Sequence, residues 1–206
     1  MTDKVADAAT AVAAPDVELD CRTSLQGPPA IQGPEDGELA VAPMLTELER
    51  GVADGADAAI IACFDDTGLS EARQQCGIPI IGIGEAAFHT AMLLGKRFSV
   101  VTTLSVSVPV IEENIERYGI APNCRRVRAS EVPVLELEVP GSAAAKRISA
   151  EIAAALAEDG CDAIVLGCAG MADLATRLEQ QHSIPVIDGV AAATALASAV
   201  VRARNL

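Results

Sequence analysis

The amino-acid sequence predicts an α/β protein of parallel sheets flanked by helices, with an internal duplication. Three observations carry this. A short apolar strand ending in cysteine occurs twice, as Asp57-Ala-Ala-Ile-Ile-Ala-Cys63 and Asp162-Ala-Ile-Val-Leu-Gly-Cys168. Stretches of strand character alternate with stretches of helical periodicity along the whole chain. Half of the 206 residues are apolar, yet the aromatics are only three Phe and one Tyr. The core must therefore be Ala, Val, Leu and Ile, which suits Ala-rich helices on Val/Ile-rich buried strands.

The repeat extends beyond the strand. Gly55 and Gly160 each stand two residues before the Asp of their copy. Each cysteine is followed by a helical stretch and then by a second strand, Cys76-Gly-Ile-Pro79-Ile-Ile in one copy and His182-Ser-Ile-Pro185-Val-Ile in the other. The cysteine-to-proline spacings are 16 and 17 residues. Two matched units, each presenting a thiol at the same place, suggest a duplicated fold with two cysteines facing one pocket.

In order, residues 4–14 have helical spacing and stop at Pro15, and residues 17–21 alternate like a short strand. Residues 23–37 hold Gly27-Pro28-Pro29, Gly33-Pro34 and Gly37, which mark a loop at the pocket mouth. Helical spacing returns over 38–53. After the first cysteine strand, Asp66 or Thr67 is positioned to cap a helix through Gln75. A strand at 79–83, a helix from Gly84 to Leu94 and a strand at 98–102 follow. Thr103 to Ser107 turns into a helix ending at Tyr118, and 124–129 is a strand. Pro133 and Pro140 make 131–141 a crossover loop. The second half runs helix 142–158, strand 162–168, helix 171–181, strand 184–187 and helix 190–203.

A net charge of −14 argues against nucleic acid or an anionic membrane as partner, because both require Lys/Arg patches. No apolar run reaches 18 residues, so no membrane-spanning segment is expected, and the N-terminus does not read as a secretory signal. Six cysteines without a CxxC pair read as reduced thiols of a cytoplasmic protein. No metal site is expected, since His89 and His182 are the only histidines and neither has ligand spacing from a cysteine pair.

Cys63 and Cys168 end strands where helices begin, the end at which open α/β sheets bind ligands. There the helix N-terminus is expected to lower a thiol pKa. Either cysteine alone reads equally as a small buried hydrophobe. Their duplication favours chemistry, and two opposed acid/base groups suit a racemase, which removes a proton from one face of a stereocentre and returns one to the other. No cofactor is expected: there is no Walker A loop and no complete GxGxxG turn, Gly82-Ile-Gly84 lacking the third glycine. A carbanion needs donors aimed at its oxygens, and the candidates are the backbone N–H groups of Phe64, Asp65, Ala169 and Gly170 with the hydroxyls of Thr102 and Thr103.

The stretches Ala62-Cys63-Phe-Asp-Asp-Thr-Gly68, Gly82-Ile-Gly-Glu-Ala-Ala-Phe-His89, Arg97-Phe-Ser-Val-Val-Thr-Thr103 and Leu166-Gly-Cys-Ala-Gly-Met171 resemble the hydantoin racemases of the aspartate/glutamate racemase superfamily, alongside the allantoin racemases. The resemblance runs through the whole chain. It implies two pseudo-symmetric lobes with the active site between them, the first spanning 1–103 plus 189–206 and carrying Cys63, the second spanning 104–188 and carrying Cys168. It implies cofactor-independent two-base racemisation at C5 of 5-substituted hydantoins or allantoin, with Cys63 and Cys168 as the two bases. It extends by analogy to a homo-oligomer. Relatives that decarboxylate arylmalonates keep only the second cysteine. Members of the family begin with a strand and an Asn-Pro-Asn-Thr loop that have no counterpart here, so the first lobe is expected to lack its opening strand. A decarboxylase or isomerase of the superfamily, or a non-catalytic small-ligand binding protein on the same scaffold, are the alternatives.

Overall fold

In the computed structural model, which describes residues 1–204, the strands form two all-parallel sheets. β1 (Ala59–Ile61) pairs with β2 (Ile80–Gly82). The other sheet is four-stranded, in the order β4-β3-β5-β6, from β3 (Phe98–Thr102), β4 (Cys124–Ala129), β5 (Ala163–Gly167) and β6 (Val186–Asp188). The helices are α1 (Thr2–Thr10), α2 (Pro34–Ala53), α3 (Leu69–Gln75), α4 (Ile83–Leu93), α5 (Val108–Arg117), α6 (Ala144–Glu158), α7 (Ala175–His182) and α8 (Gly189–Arg204).

Local chemistry sets the boundaries. Pro34 occupies the first turn of α2, where its missing N–H costs nothing, and Glu35 and Asp36 face the positive helix end. Gly119 and Gly160 adopt left-handed φ values of 73° and 64° just beyond α5 and α6, a conformation L-residues resist.

All five residues of β3 and of β5 are buried, because helices cover both faces of this sheet. Alternate residues face opposite ways. Phe98, Val100, Val165 and Ile187 join a core with Phe64 and residues of α4, α5 and α8, while Val101, Ile164, Leu166 and Val186 pack with α6 and α7. A smaller cluster of Ile61, Leu69, Ala72 and Ile80, packed against Met44, Leu45 and Leu48 of α2, covers the two-stranded sheet.

The sheets meet through α4 and α8, which start directly after β2 and β6. Gly189 at the start of α8 lies against Ile83 at the start of α4: a Cβ at 189 would sit 2.6 Å from the Ile83 carbonyl oxygen.

Phe98–Thr102 is an inner strand of the four-stranded sheet, paired to β4 and β5. Two expectations are corrected. Residues 17–21 are irregular; Leu19 packs on the core, and among the described residues they pair with no strand. The helix expected over 171–181 is a 3₁₀ turn, Ala169–Leu174, running into α7.

Candidate active site

Because β3 and β5 are parallel neighbours, Thr103 and Cys168 follow adjacent strand ends; Cys63 follows β1 of the other sheet, and hydrogen bonds from Ser107 and Asn114 to Asp65 hold its turn to the segment after β3. Thr102 is in register with Gly167, which places the last residue of β3 beside the residue before Cys168.

The Cys63 turn is closed by hydrogen bonds to sulfur. The Sγ lies 3.4 Å from Thr67 Oγ1 and accepts the backbone N–H groups of Asp65 and Thr67. Cys168 accepts the N–H of Gly170. The amides therefore point at both sulfurs, as a helix or turn N-terminus predicts, but burial outweighs them. Desolvation pushes the Cys63 thiol up to about 12, helped by the charge of Asp65, and pushes Cys168 up to about 11. The expected lowering does not occur, because withdrawing a thiolate from water costs more than two or three amide donors return.

Asp65 ties the two halves together. Its charge raises the pKa of both thiols, so one carboxylate stands within electrostatic reach of both sulfurs. Its carbonyl accepts Asn114 Nδ2 at 2.8 Å, and its carboxylate receives the Ser107 hydroxyl at 3.4 Å. Burial pushes this carboxyl up to about 6.

Asp66 behaves differently. Its φ is 50°, which turns the buried carboxylate away from α3 and onto the start of α4. It accepts the N–H groups of Gly84 and Glu85 at 2.9 and 2.8 Å and the Tyr118 hydroxyl at 2.8 Å. The cap expected for the helix through Gln75 thus serves α4 instead. Gly82 and Gly84 make this possible, since a Cβ at either would meet the Asp66 carboxylate at 2.2 and 2.9 Å. The glycines at 82 and 84 leave room for this close approach.

The other candidates divide by what their atoms already do. The Phe64 ring is buried edge-on against Phe88, 5.4 Å between centroids, so only its backbone faces the turn. The hydroxyl of Thr102, expected to face substrate, instead donates to the Gly167 carbonyl at 2.8 Å and braces the strand end that carries Cys168. The Thr103 carbonyl receives Val132 N–H and the Ser130 hydroxyl, whereas its own hydroxyl has no partner among the described residues. Ala169 and Gly170 are buried, and a Cβ at 170 would meet Leu137 at 2.8 Å, so the Cys168 turn is packed tightly against the 131–141 loop.

Several neighbours escape a reading of the sequence. Lys4 Nζ donates to the carbonyls of Leu137 (3.0 Å) and Gly170 (3.3 Å) and pairs with Glu138 and Asp173. Asn114 carried one usable signal, a polar residue on the apolar face of α5 between Ile111 and Ile115. A cavity of about 290 Å³ is lined by Gly33, Gly37, Asp65, Thr67 and Asn114, and another of about 370 Å³ by Lys4, Glu138, Ser142, Gly170 and Arg177; they flank the two cysteine turns, and neither is lined by Cys63 or Cys168 itself. Among the described residues no group of three or more His, Cys, Asp or Glu is placed to hold a metal ion, and no helix is long and apolar enough to cross a membrane.

Comparison with known proteins agrees with this architecture. The family model for Asp/Glu/Hydantoin racemase matches residues 1–197. A hydantoin racemase from Rhizobium meliloti is 49% identical over 176 residues, covering 85% of this chain and 73% of the relative. The solved structure of an allantoin racemase from Klebsiella pneumoniae superposes with a TM-score of 0.95 at 39% identity, covering 98% of this chain and 83% of that one. An allantoin racemase from Pseudomonas fluorescens gives 0.91 at 37% identity, covering 98% and 86%. With a family match over nearly its whole length, a relative 49% identical and a solved structure that superposes with a TM-score of 0.95, the chain belongs to the Asp/Glu/hydantoin racemase family and is an isomerase of the racemase class.

Proposed function

We propose that the chain racemises 5-substituted hydantoins or allantoin without a cofactor, Cys63 and Cys168 acting on opposite faces of C5. The observation that carries this reading is the equivalence of the two thiols: each ends a matched strand, each accepts turn amides, and both feel Asp65. The names of the relatives support the substrate class.

In the reaction, one sulfur in its thiolate form takes the C5 proton. The electron pair left on carbon delocalises into the adjacent ring carbonyl, and the thiol on the other face delivers its proton to C5. One S–H bond forms, one breaks, and the roles reverse for the other enantiomer. The carbonyl next to C5 is the electron sink, which is why no cofactor is needed. The backbone N–H groups of Phe64 and Ala169 and the Thr103 hydroxyl are the candidates for holding the developing oxyanion, the N–H groups of Asp65 and Gly170 being taken by the sulfurs. Asp65 is suited to the ring itself, and Thr102 acts through Gly167.

Both thiols are held protonated in the ligand-free protein at neutral pH. The reactive thiolate is therefore a minority form that substrate must favour, by bringing its N–H dipoles into a site that water stabilises poorly. The deciding experiment is solvent deuterium exchange at C5 with each enantiomer, in wild type, Cys63→Ser and Cys168→Ser. A two-base mechanism predicts that each variant stops racemising yet retains exchange of one enantiomer. Full racemisation by either variant would overturn the assignment.

A further inference from the structure

We propose that the Asp65 carboxylate selects substrates by charge, accepting a hydrogen bond from an N–H of the hydantoin and disfavouring substrates whose 5-substituent is a carboxylate. This rests on the racemase reading above and specifies which members of the substrate class the site takes.

The geometry points to an acceptor awaiting a donor. Asp65 is fixed at its backbone, where Asn114 Nδ2 holds its carbonyl at 2.8 Å and its own N–H goes to the Cys63 sulfur. Its carboxylate is far less engaged. An ionised carboxylate offers about four acceptor positions, and here one is taken, by Ser107 Oγ at 3.4 Å, the long limit of a hydrogen bond. No salt bridge reaches Asp65 among the described residues, although the group is only partly accessible to water. Such an under-satisfied, half-buried acceptor is costly until a donor arrives.

The cavity that Asp65 lines supplies no free cation among the described residues; the unpaired Arg177 lines the other cavity, near the Cys168 turn. Facing Asp65 are the two thiols, Ser107 and Asn114. The charged and titratable groups sharing its cavity are Asp66, Glu38 of α2, Glu71 of α3, and Glu113 and Arg117 of α5. Arg117 is committed elsewhere, to Asn114 Oδ1 at 2.7 Å and over the Tyr118 ring at 5.2 Å. Lys4, beyond Cys168, is paired with Glu138 and Asp173. The field on the Asp65 side of the site is therefore negative. An ionised Asp65 repels the enolate oxygen and attracts a ring or ureido N–H, which assigns the oxyanion to the backbone amides and the N–H to Asp65. A second carboxylate carried on the substrate meets the same repulsion.

The test uses two hydantoins of nearly equal shape, 5-(2-carboxyethyl)hydantoin and 5-(2-carbamoylethyl)hydantoin, with kcat/KM measured for both at pH 7.5. Wild type is expected to prefer the carboxamide by about tenfold or more. In Asp65→Asn that preference should shrink to about twofold, and in Asp65→Glu it should persist. The readout is a ratio within each variant, so a general loss of activity cancels. Should the variants fold poorly, wild type alone still decides the matter. Its preference should narrow as pH falls from 7.5 toward 5.5, where Asp65 takes up a proton while the substrate carboxylate, with an ordinary pKa of about 4.3, stays ionised. An unchanged ratio in Asp65→Asn, or no preference in wild type, overturns the proposal. Absence of any C5 exchange with either compound would instead overturn the racemase reading and this proposal with it.

Discussion

Gly189 and Ile83 each stand four residues after the proline of their repeat, Pro185 and Pro79, and they touch one another. The two positions are equivalent in the sequence repeat, and their contact joins the first residues of α4 and α8. The space there is already full. Gly189→Ala forces its Cβ to within 2.6 Å of a backbone oxygen that cannot rotate away, and should cost about 1–3 kcal/mol, lowering Tm by roughly 2–4 °C per kcal/mol for a chain of this size. Denaturant and thermal unfolding measure it; an unaltered midpoint would show that α4 and α8 slide freely.

Asp66 satisfies three donors at once, two amides of α4 and the hydroxyl of Tyr118, the residue after α5. Asp66→Ala strands the two α4 amides and the Tyr118 hydroxyl and should destabilise the protein by about 2–4 kcal/mol. Tyr118→Phe removes one donor and leaves the α4 cap in place, so about 1 kcal/mol is expected. Equal losses in chemical denaturation would contradict this division of labour.

Thr102 and Thr103 are neighbours with opposite assignments. Thr102→Val removes the bond to Gly167, so stability should fall by about 1 kcal/mol together with kcat, because the Cys168 turn loses its brace. Thr103→Val breaks no side-chain hydrogen bond within the described protein. It should change unfolding by less than about 0.5 kcal/mol while lowering kcat/KM by about tenfold or more. Steady-state kinetics alongside unfolding curves separates the two.

The raised thiol pKa values set a pH dependence. Alkylation of Cys63 and Cys168 by iodoacetamide, followed peptide by peptide in the mass spectrometer, should be slow at pH 7. It should quicken about tenfold per pH unit through pH 9, as the thiolate fraction grows below a pKa of about 11 or 12. kcat/KM, which reports the free enzyme, should climb over the same range. A plateau reached by pH 7.5 would mean that at least one sulfur ionises far more readily than its burial implies.

Asp65 gives a stability signature of the other sense. Its folded carboxyl, pushed up to about 6 by burial, binds a proton more tightly than in the unfolded chain. The native state then holds the extra proton between about pH 4 and 6, and its stability declines as pH rises through that window. Asp65→Asn is therefore expected to be more stable than wild type by about 1–2 kcal/mol at pH 7.5, with the gap closing near pH 4. A gap that widens on acidification would show that the native site favours the ionised form.

The parts of this protein legible in its sequence are those encoded locally. The strand ends carrying Cys63 and Cys168 follow from short apolar runs with glycine and aspartate before them. What the residues hid depends on partners far along the chain. Phe98–Thr102 looks like any buried strand, and only its pairing with Ala163–Gly167 puts it in the four-stranded sheet. Val17-Glu-Leu-Asp-Cys21 has the alternation of a strand but no neighbouring edge to bond. Asp66 sits where a cap for the next helix belongs, yet its positive φ sends the carboxylate to α4, 18 residues on. The thiols were read from the helix dipole, a local quantity, while their pKa is governed by burial, which only the assembled fold supplies. Asn114, Ser107 and Lys4 reach the site from other elements altogether.

The meeting of Gly189 with Ile83 also couples the two repeats. The Ile83 carbonyl leaves no room for a Cβ at 189, so the first turns of α4 and α8 hold one another in place. A side chain added there would have to part the two helices, and with them the ends of β2 and β6 from which they start.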